Sequence, residues 1–199
     1  MELVSPLVFV LSYVYPSQIG NSQSPATFLF LLMWVAHYAN RSIVYPLRQP
    51  SRKPMHIGVM LSACFFNVVN GYVNGRWLAT LYPEQSRSPV LIISGIFMFA
   101  LGMFGNIYHD EILIKLKKQS KGYSVPFGGQ YGLVSCPHFL SELVEWIGFA
   151  VATGSPAAWV FALNVACNLI PRAMLIHRWY MDKFKDYPSH RKAMLPYLL

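Results

Sequence analysis

The chain has 199 residues, 54% of them hydrophobic and only 12% charged, with a mean hydropathy of +0.36. Soluble domains carry about twice that charged fraction, so the composition excludes an ordinary water-soluble domain and predicts one all-α, polytopic membrane domain over residues 1–199. The net charge of +8 does not indicate nucleic acid, because the cations are clustered between apolar runs.

Six apolar stretches follow one another: Leu3–Tyr15, Ala26–Tyr45, Met55–Leu81, Pro89–Tyr108, Phe139–Thr153 and Pro156–Leu175. A span needs about 20 mostly apolar residues, so the first and fifth extend into flanking turns or lean on neighbours. Pro25 and Pro89 stand at first-turn positions. Pro83, Pro126 and Pro156 fall in connections, and Gly128-Gly129 ends the basic loop with a turn. All Lys and Arg except Arg76 and Arg87 lie in Arg41–Lys53, Lys115–Lys121 and Arg172–Lys192. With six spans these segments share one side, which the positive-inside rule assigns to the cytosol. No signal-peptide pattern opens the chain, and its start reads as though an upstream segment were absent. Cys64, Cys136 and Cys167 have no metal-type spacing and read as reduced packing residues.

Ionisable groups inside such stretches are expensive and mark functional sites or interfaces. Glu2 opens the first stretch; it reads either as a solvated terminal acid or as a carboxyl kept protonated by apolar surroundings, able to donate to a carbonyl. Tyr38, beside Arg41 in the second, is an interfacial belt residue or a second donor. Asn70-Gly-Tyr72-Val-Asn74-Gly75-Arg76 either lines a cavity or places Arg76 at the far interface. Asn106 and Asp110 share one helix face, as a solvated helix end or as acceptors for ribose hydroxyls or an amide. His138, Glu142 and Glu145 share another face entering an apolar helix. A di-metal carboxylate site would need a second acidic pair, so no metal is expected. Gly102 and Gly105 look like close-packing glycines. No dinucleotide-fold or phosphate-loop motif occurs. The closing stretch, Arg172 to Lys192, mixes cations, imidazoles and aromatics in a way that suits an anionic cofactor.

These residues, taken in order, resemble the steroid 5α-reductase (3-oxo-5α-steroid 4-dehydrogenase) family. The motifs are His37-Tyr38-x-x-Arg41-x-x-x-Tyr45, Asn70-Gly71-Tyr72-x-x-Gly75-Arg76, Gly102-Met103-x-x-Asn106-x-x-x-Asp110, Gly128-Gly129, Val134-Ser135, Glu142-x-x-Glu145-Trp146, Arg172-Ala173-x-x-x-His177-Arg178-Trp179-Tyr180 and Lys183-Phe184-x-x-Tyr187-Pro188-x-x-Arg191-Lys192. Each is weak alone, but the match runs nearly the whole length. The resemblance implies a seven-helix, monomeric enzyme of the endoplasmic reticulum membrane with a cytosolic C-terminus. On this resemblance the family's first helix would lie upstream of these residues, and its C-terminal domain would cover about 45–199.

The resemblance also implies an activity: NADPH-dependent reduction of the carbon 4–5 double bond of a 3-oxo-Δ4-steroid. Glu2 and Tyr38 would be catalytic. Asn106, Asp110, Tyr123, Glu142, Arg172, His177 and Tyr180 would contact NADPH, with Arg48, Arg52 and Lys53 helping at the phosphates. His138 stands where steroid reductases usually have Asn, and Pro-His also occurs in polyprenol reductases. A polyprenol or long-chain enoyl reductase is therefore the alternative enzyme, and a truncated lipid-binding relative the non-catalytic one. Ile176 stands where many animal members place a second His.

Overall fold

The computed structural model describes residues 1–17, 24–50, 54–83, 87–120 and 122–199. Among them the regular structure is helical: α1 (Val4–Ser17), α2 (Pro25–Ala39), a π-helical segment Asn40–Val44, α3 (Tyr45–Arg48), α4 (Ile57–Thr80), α5 (Pro89–Gln119), a 3-10 turn Gly129–Gly132, α6 (Pro137–Thr153) and α7 (Pro156–Lys183). The only extended pairing among the described residues is one parallel bridge between Val134 and Lys192. Helices α4, α5 and α7 are long and apolar enough to cross a membrane. The others are shorter, 14, 15 and 17 residues for α1, α2 and α6.

The described residues form two compact units, Met1–Ile96 with Gly148–Phe161, and Phe97–Ile147 with Ala162–Leu199. In the first unit, α1 lies on α4 with the backbones nearly touching. A Cβ on Gly71 would sit 2.7 Å from the Ser5 carbonyl oxygen, and one on Gly75 2.6 Å from that of Phe9. Small residues four apart permit this approach in helices that gain little from apolar burial in lipid. α1 runs antiparallel to α2: the Tyr13 hydroxyl meets Thr27 Oγ1 at 2.9 Å, and Phe9 stacks on Trp34 at 4.5 Å. Trp34 is fully buried and also packs against Tyr38, Phe149 and Phe161.

Local chemistry explains the ends of these helices. Ser24 Oγ accepts from the Thr27 N–H at 3.3 Å, so Ser24 caps α2 ahead of Pro25 at its first position. After Ala39 the helix widens: the Tyr45 N–H bonds back five residues to the Asn40 carbonyl. Pro46, one residue further, has no N–H to continue the four-residue ladder. α6 stops at Gly154, whose φ of +68° suits glycine. There Arg87 donates to the Val151 carbonyl at 2.5 Å and more weakly to that of Ala152 at 3.4 Å. A cation thus closes carbonyls left over at a helix C-terminus. Pro156 opens α7 behind Ser155, whose Oγ accepts from the Ala158 N–H at 3.3 Å; the expected connection is therefore a helix start.

In the second unit, Gly102 of α5 faces the Glu145 backbone of α6 and Gly105 faces Ser141, so both are close-packing glycines, as expected. The sequence placed Lys115–Lys118 in a loop; these residues instead continue α5 to Gln119. Lys115 Nζ lies 3.6 Å from Glu111 Oε1 one turn back, and lysines suit a helix C-terminus. α7 likewise carries Arg172 to Lys183 as helix. A core of Cys136, Phe139, Ala173, Ala193 and Met194 joins α6, α7 and the C-terminal residues.

Candidate functional site

Polar residues gather on two faces, one in each unit. In the first, Glu2 is half-buried at the mouth of α1, and its carbonyl accepts from the Ser5 N–H at 3.2 Å. Tyr38 is 6% exposed and lies on the last turn of α2. The antiparallel register, Tyr13 opposite Thr27 and Phe9 opposite Trp34, brings Tyr38 to the same end of the α1–α2 pair as Glu2. Along α4, Asn67, Asn70 and Asn74 are buried at steps of three and four. Asn67 Nδ2 reaches the Met1 carbonyl at 3.5 Å, and Asn74 Nδ2 donates to Asn70 Oδ1 at 3.0 Å. Among the described residues, Ser5 Oγ, Asn70 Nδ2 and Asn74 Oδ1 keep no hydrogen-bond partner. The polar end of α4 points two ways. Its asparagines turn inward, while exposed Arg76 lines an open cleft with Leu11, Ser12, Tyr15 and Tyr72.

The second face is built on α5. Asn106 and Asp110 are 2% and 3% exposed, one turn apart, which decides against a solvated helix end. Asn106 Nδ2 donates to the His138 carbonyl at 3.0 Å, leaving Oδ1 to accept from a ligand. Between them in sequence, buried His109 is engaged at both nitrogens. Nε2 accepts from the Gln130 N–H at 3.3 Å, so Nδ1 carries the proton toward Ser141 Oγ at 3.4 Å. The Tyr131 hydroxyl, fully buried, lies 3.3 Å from both the His109 carbonyl and His138 Nδ1. Glu142 is half-buried and Glu145 almost fully buried on the same face of α6 as His138.

The remaining expected contacts lie on α7 and the segments beside it. Arg172 is exposed, its guanidinium 5.6 Å over the Phe139 ring. Tyr123, 66% exposed, packs edge-on against Trp179 at 4.9 Å. Tyr180 stacks on Tyr187 at 5.3 Å with the rings 12° apart. His177 Nδ1 lies 2.6 Å from Ser135 Oγ. Arg48 is exposed and belongs to the first unit; Arg52 and Lys53 lie outside the described residues.

Three residues were missed as site or supporting residues: Ser135, Tyr131 and His109. Hydroxyls and a buried imidazole leave little trace in hydropathy, and their partners are distant in sequence. Arg191, part of the cationic tail, has a structural role. It is 2% exposed, donates from Nη1 to the Pro126 carbonyl at 3.0 Å, and lies 4.7 Å over the Phe127 ring.

Long apolar helices that bury amides, carboxylates and imidazoles on defined faces belong to the class of integral-membrane proteins with internal polar sites. Comparison with known sequences narrows the class. The family model for 3-oxo-5-alpha-steroid 4-dehydrogenase matches residues 53–199. Steroid 5-alpha-reductase DET2 of Solanum lycopersicum is 39% identical over 184 residues, covering 89% of this chain and 72% of the relative. The 3-oxo-5-alpha-steroid 4-dehydrogenase 1 of Bos taurus is 37% identical, covering 86% of this chain and 68% of the relative. That of Rattus norvegicus is 36% identical, covering 100% and 77%. The chain belongs to the 3-oxo-5-alpha-steroid 4-dehydrogenase family, whose members are oxidoreductases acting on a carbon–carbon bond.

Proposed function

We propose that the chain reduces the carbon 4–5 double bond of a 3-oxo-Δ4-steroid with NADPH, as a monomeric multi-pass enzyme of the endoplasmic reticulum membrane with a cytosolic C-terminus. The observation that carries this reading is family membership over nearly the whole chain, with relatives named for this steroid chemistry. The residues of the second unit fit a dinucleotide. Asn106 Oδ1 is an available acceptor beside buried Asp110, and exposed Arg172 offers a cationic fork for phosphate. Tyr123, Glu142, His177 and Tyr180 would complete the contacts, with Arg48 and Arg52 assisting at the phosphates.

Bound NADPH would supply the hydride that reduces carbon 5. The chain's own residues act at the other end of the conjugated system. Glu2 and Tyr38 hold and polarise the 3-keto group and stabilise the negative charge that gathers there as the double bond is consumed. The resulting enolate collapses when a solvent-derived proton adds at carbon 4. A 3-oxo-Δ4-steroid is an apolar lipid, so it would enter from the bilayer.

The test is product formation in membranes holding the chain, NADPH and a 3-oxo-Δ4-steroid, followed by mass spectrometry. Glu2→Gln is expected to cut turnover far more than it weakens NADPH binding. Reduction of a polyprenol or a long-chain enoyl thioester with the steroid left untouched would transfer the assignment to that lipid class. Unchanged turnover in Glu2→Gln would remove Glu2 from the mechanism.

A further inference from the structure

The residues after α7 fold back onto the segment ahead of α6. The Lys192 N–H donates to the Leu133 carbonyl at 3.0 Å. In return, the Lys192 and Ala193 carbonyls accept from the N–H groups of Ser135 and Cys136 at 2.8 and 3.0 Å. At the centre sits Ser135, 2% exposed. Its Oγ lies 2.6 Å from His177 Nδ1, 2.6 Å from the Tyr187 hydroxyl and 3.2 Å from the Lys192 carbonyl. Three segments distant in sequence meet on one oxygen.

Counting protons fixes the direction of these bonds. A serine hydroxyl has one proton and two lone pairs, and a carbonyl can only accept. With all three bonds made, the Ser135 proton goes to the Lys192 carbonyl, and both His177 and Tyr187 donate to Oγ. His177 then carries its proton on Nδ1 and presents the Nε2 lone pair as an acceptor. The Tyr187 ring, oriented by the bond it donates, is the one that stacks on Tyr180. An oxygen so fully engaged has no lone pair left for nucleophilic attack, which separates this Ser–His pair from a hydrolytic dyad.

We infer that Ser135 is a positioning residue for the dinucleotide: its hydroxyl holds His177 as the Nδ1–H tautomer, ready to accept from a hydroxyl or amide donor of the cofactor, and steadies Tyr180 through Tyr187. This rests on the reading that NADPH binds at the second unit.

The test uses the full chain in lipid nanodiscs with 15N-labelled histidine. Ring-nitrogen shifts report the His177 tautomer, and a fluorescence titration reports NADPH affinity. Wild type is expected to show Nδ1–H. Ser135→Ala is expected to lose that preference and to bind NADPH about tenfold more weakly, the loss of one buried hydrogen bond, with the steroid KM unchanged. Ser135→Cys keeps the shape but donates and accepts poorly, so it should behave like Ser135→Ala. A wild-type Nε2–H tautomer, or a Ser135→Cys variant equal to wild type in both readouts, overturns the proposal by making the role one of packing. If Ser135→Ala does not fold, Tyr187→Phe decides: it keeps the stacked ring, and unchanged NADPH affinity there also overturns it. A wild type with the Nδ1–H tautomer and no NADPH binding would instead sink the functional reading and leave the tautomer assignment standing.

Discussion

Asn106 ties α5 to the first turn of α6, its Nδ2 donating to the His138 carbonyl at 3.0 Å. The bond fixes which end of the amide is spent on the protein. It also gives His138 a place: its carbonyl accepts from Asn106, and its Nδ1 lies 3.3 Å from the Tyr131 hydroxyl. His138 is thus part of the frame around α5. Asn106→Asp would exchange a donor for a carboxylate facing a carbonyl oxygen. Leaving a buried acceptor unsatisfied costs about 1–3 kcal/mol, more with a charge, so the variant should melt earlier in detergent and bind NADPH less tightly. Normal melting with normal affinity would show that the amide is not needed at either end.

Tyr38→Phe separates packing from chemistry. The ring is 6% exposed and packs 5.4 Å from Trp34, contacts that Phe preserves. Only the phenolic hydroxyl is removed. Loss of one donor to a developing oxyanion typically lowers turnover by about 10²–10³-fold. Steady-state kinetics should show that fall in kcat with NADPH affinity close to wild type.

The two close-packing glycines of α5 should differ in their tolerance of alanine. A methyl at Gly102 would run into the Glu145 backbone, whereas at Gly105 the nearest atom is Ser141 Oγ, at 2.7 Å. A backbone cannot rotate away, but a serine hydroxyl can. Overpacking costs about 1–3 kcal/mol where nothing yields. Gly102→Ala is therefore expected to lower the melting temperature clearly more than Gly105→Ala, and the reverse order would contradict the helix contact described.

Much of the helical layout was legible because lipid-exposed and buried apolar residues leave the same signal. Pro25 and Pro89 marked true helix starts, and Gly128-Gly129 a true turn, with φ values of +100° and +52°. The ends of α5 and α7 were not legible, because hydropathy falls at Lys115 and Arg172 while the backbone hydrogen-bond ladder continues. Arg87 lies outside the three basic segments, and its role in closing the C-terminus of α6 left no mark in the sequence. The four-residue spacing of Asn106 and Asp110 predicted a shared helix face, and both are buried on α5. Ser135 could not be found that way, since its partners are 42 to 57 residues further along the chain.

Cys136 gives a prediction in pH. Burial pushes its thiol up to about 12, against a small opposing pull from Arg172. The side chain is fully buried in the core beside Phe139 and Met194. At pH 8 to 10, alkylation of the folded chain should spare Cys136, and mass spectrometry should find it labelled only after denaturation. The sign for stability follows. An unfolded thiol releases its proton near its ordinary value of 9.0, while the folded one keeps it to about 12. The folded state then binds more protons, so stability falls as pH rises above roughly 9. Increasing stability over that interval would mean that the thiol is not enclosed.

Arg191 should be the least replaceable cation of the C-terminal segment. Its guanidinium sits 4.7 Å over Phe127 and 5.3 Å over Tyr187 and donates to the Pro126 carbonyl, with 2% exposure. A planar fork can stack on two rings and still reach a carbonyl; an ammonium cannot. Arg191→Lys keeps the charge, yet it forfeits the stacking and leaves the carbonyl to find another donor, about 2 kcal/mol by ordinary values. Lys192, one residue on, is exposed, and its side chain should be replaceable at little cost. Limited proteolysis should therefore release the C-terminal residues faster in Arg191→Lys than in Lys192→Gln. If the two variants are cleaved alike, the buried guanidinium is not what holds the tail in place.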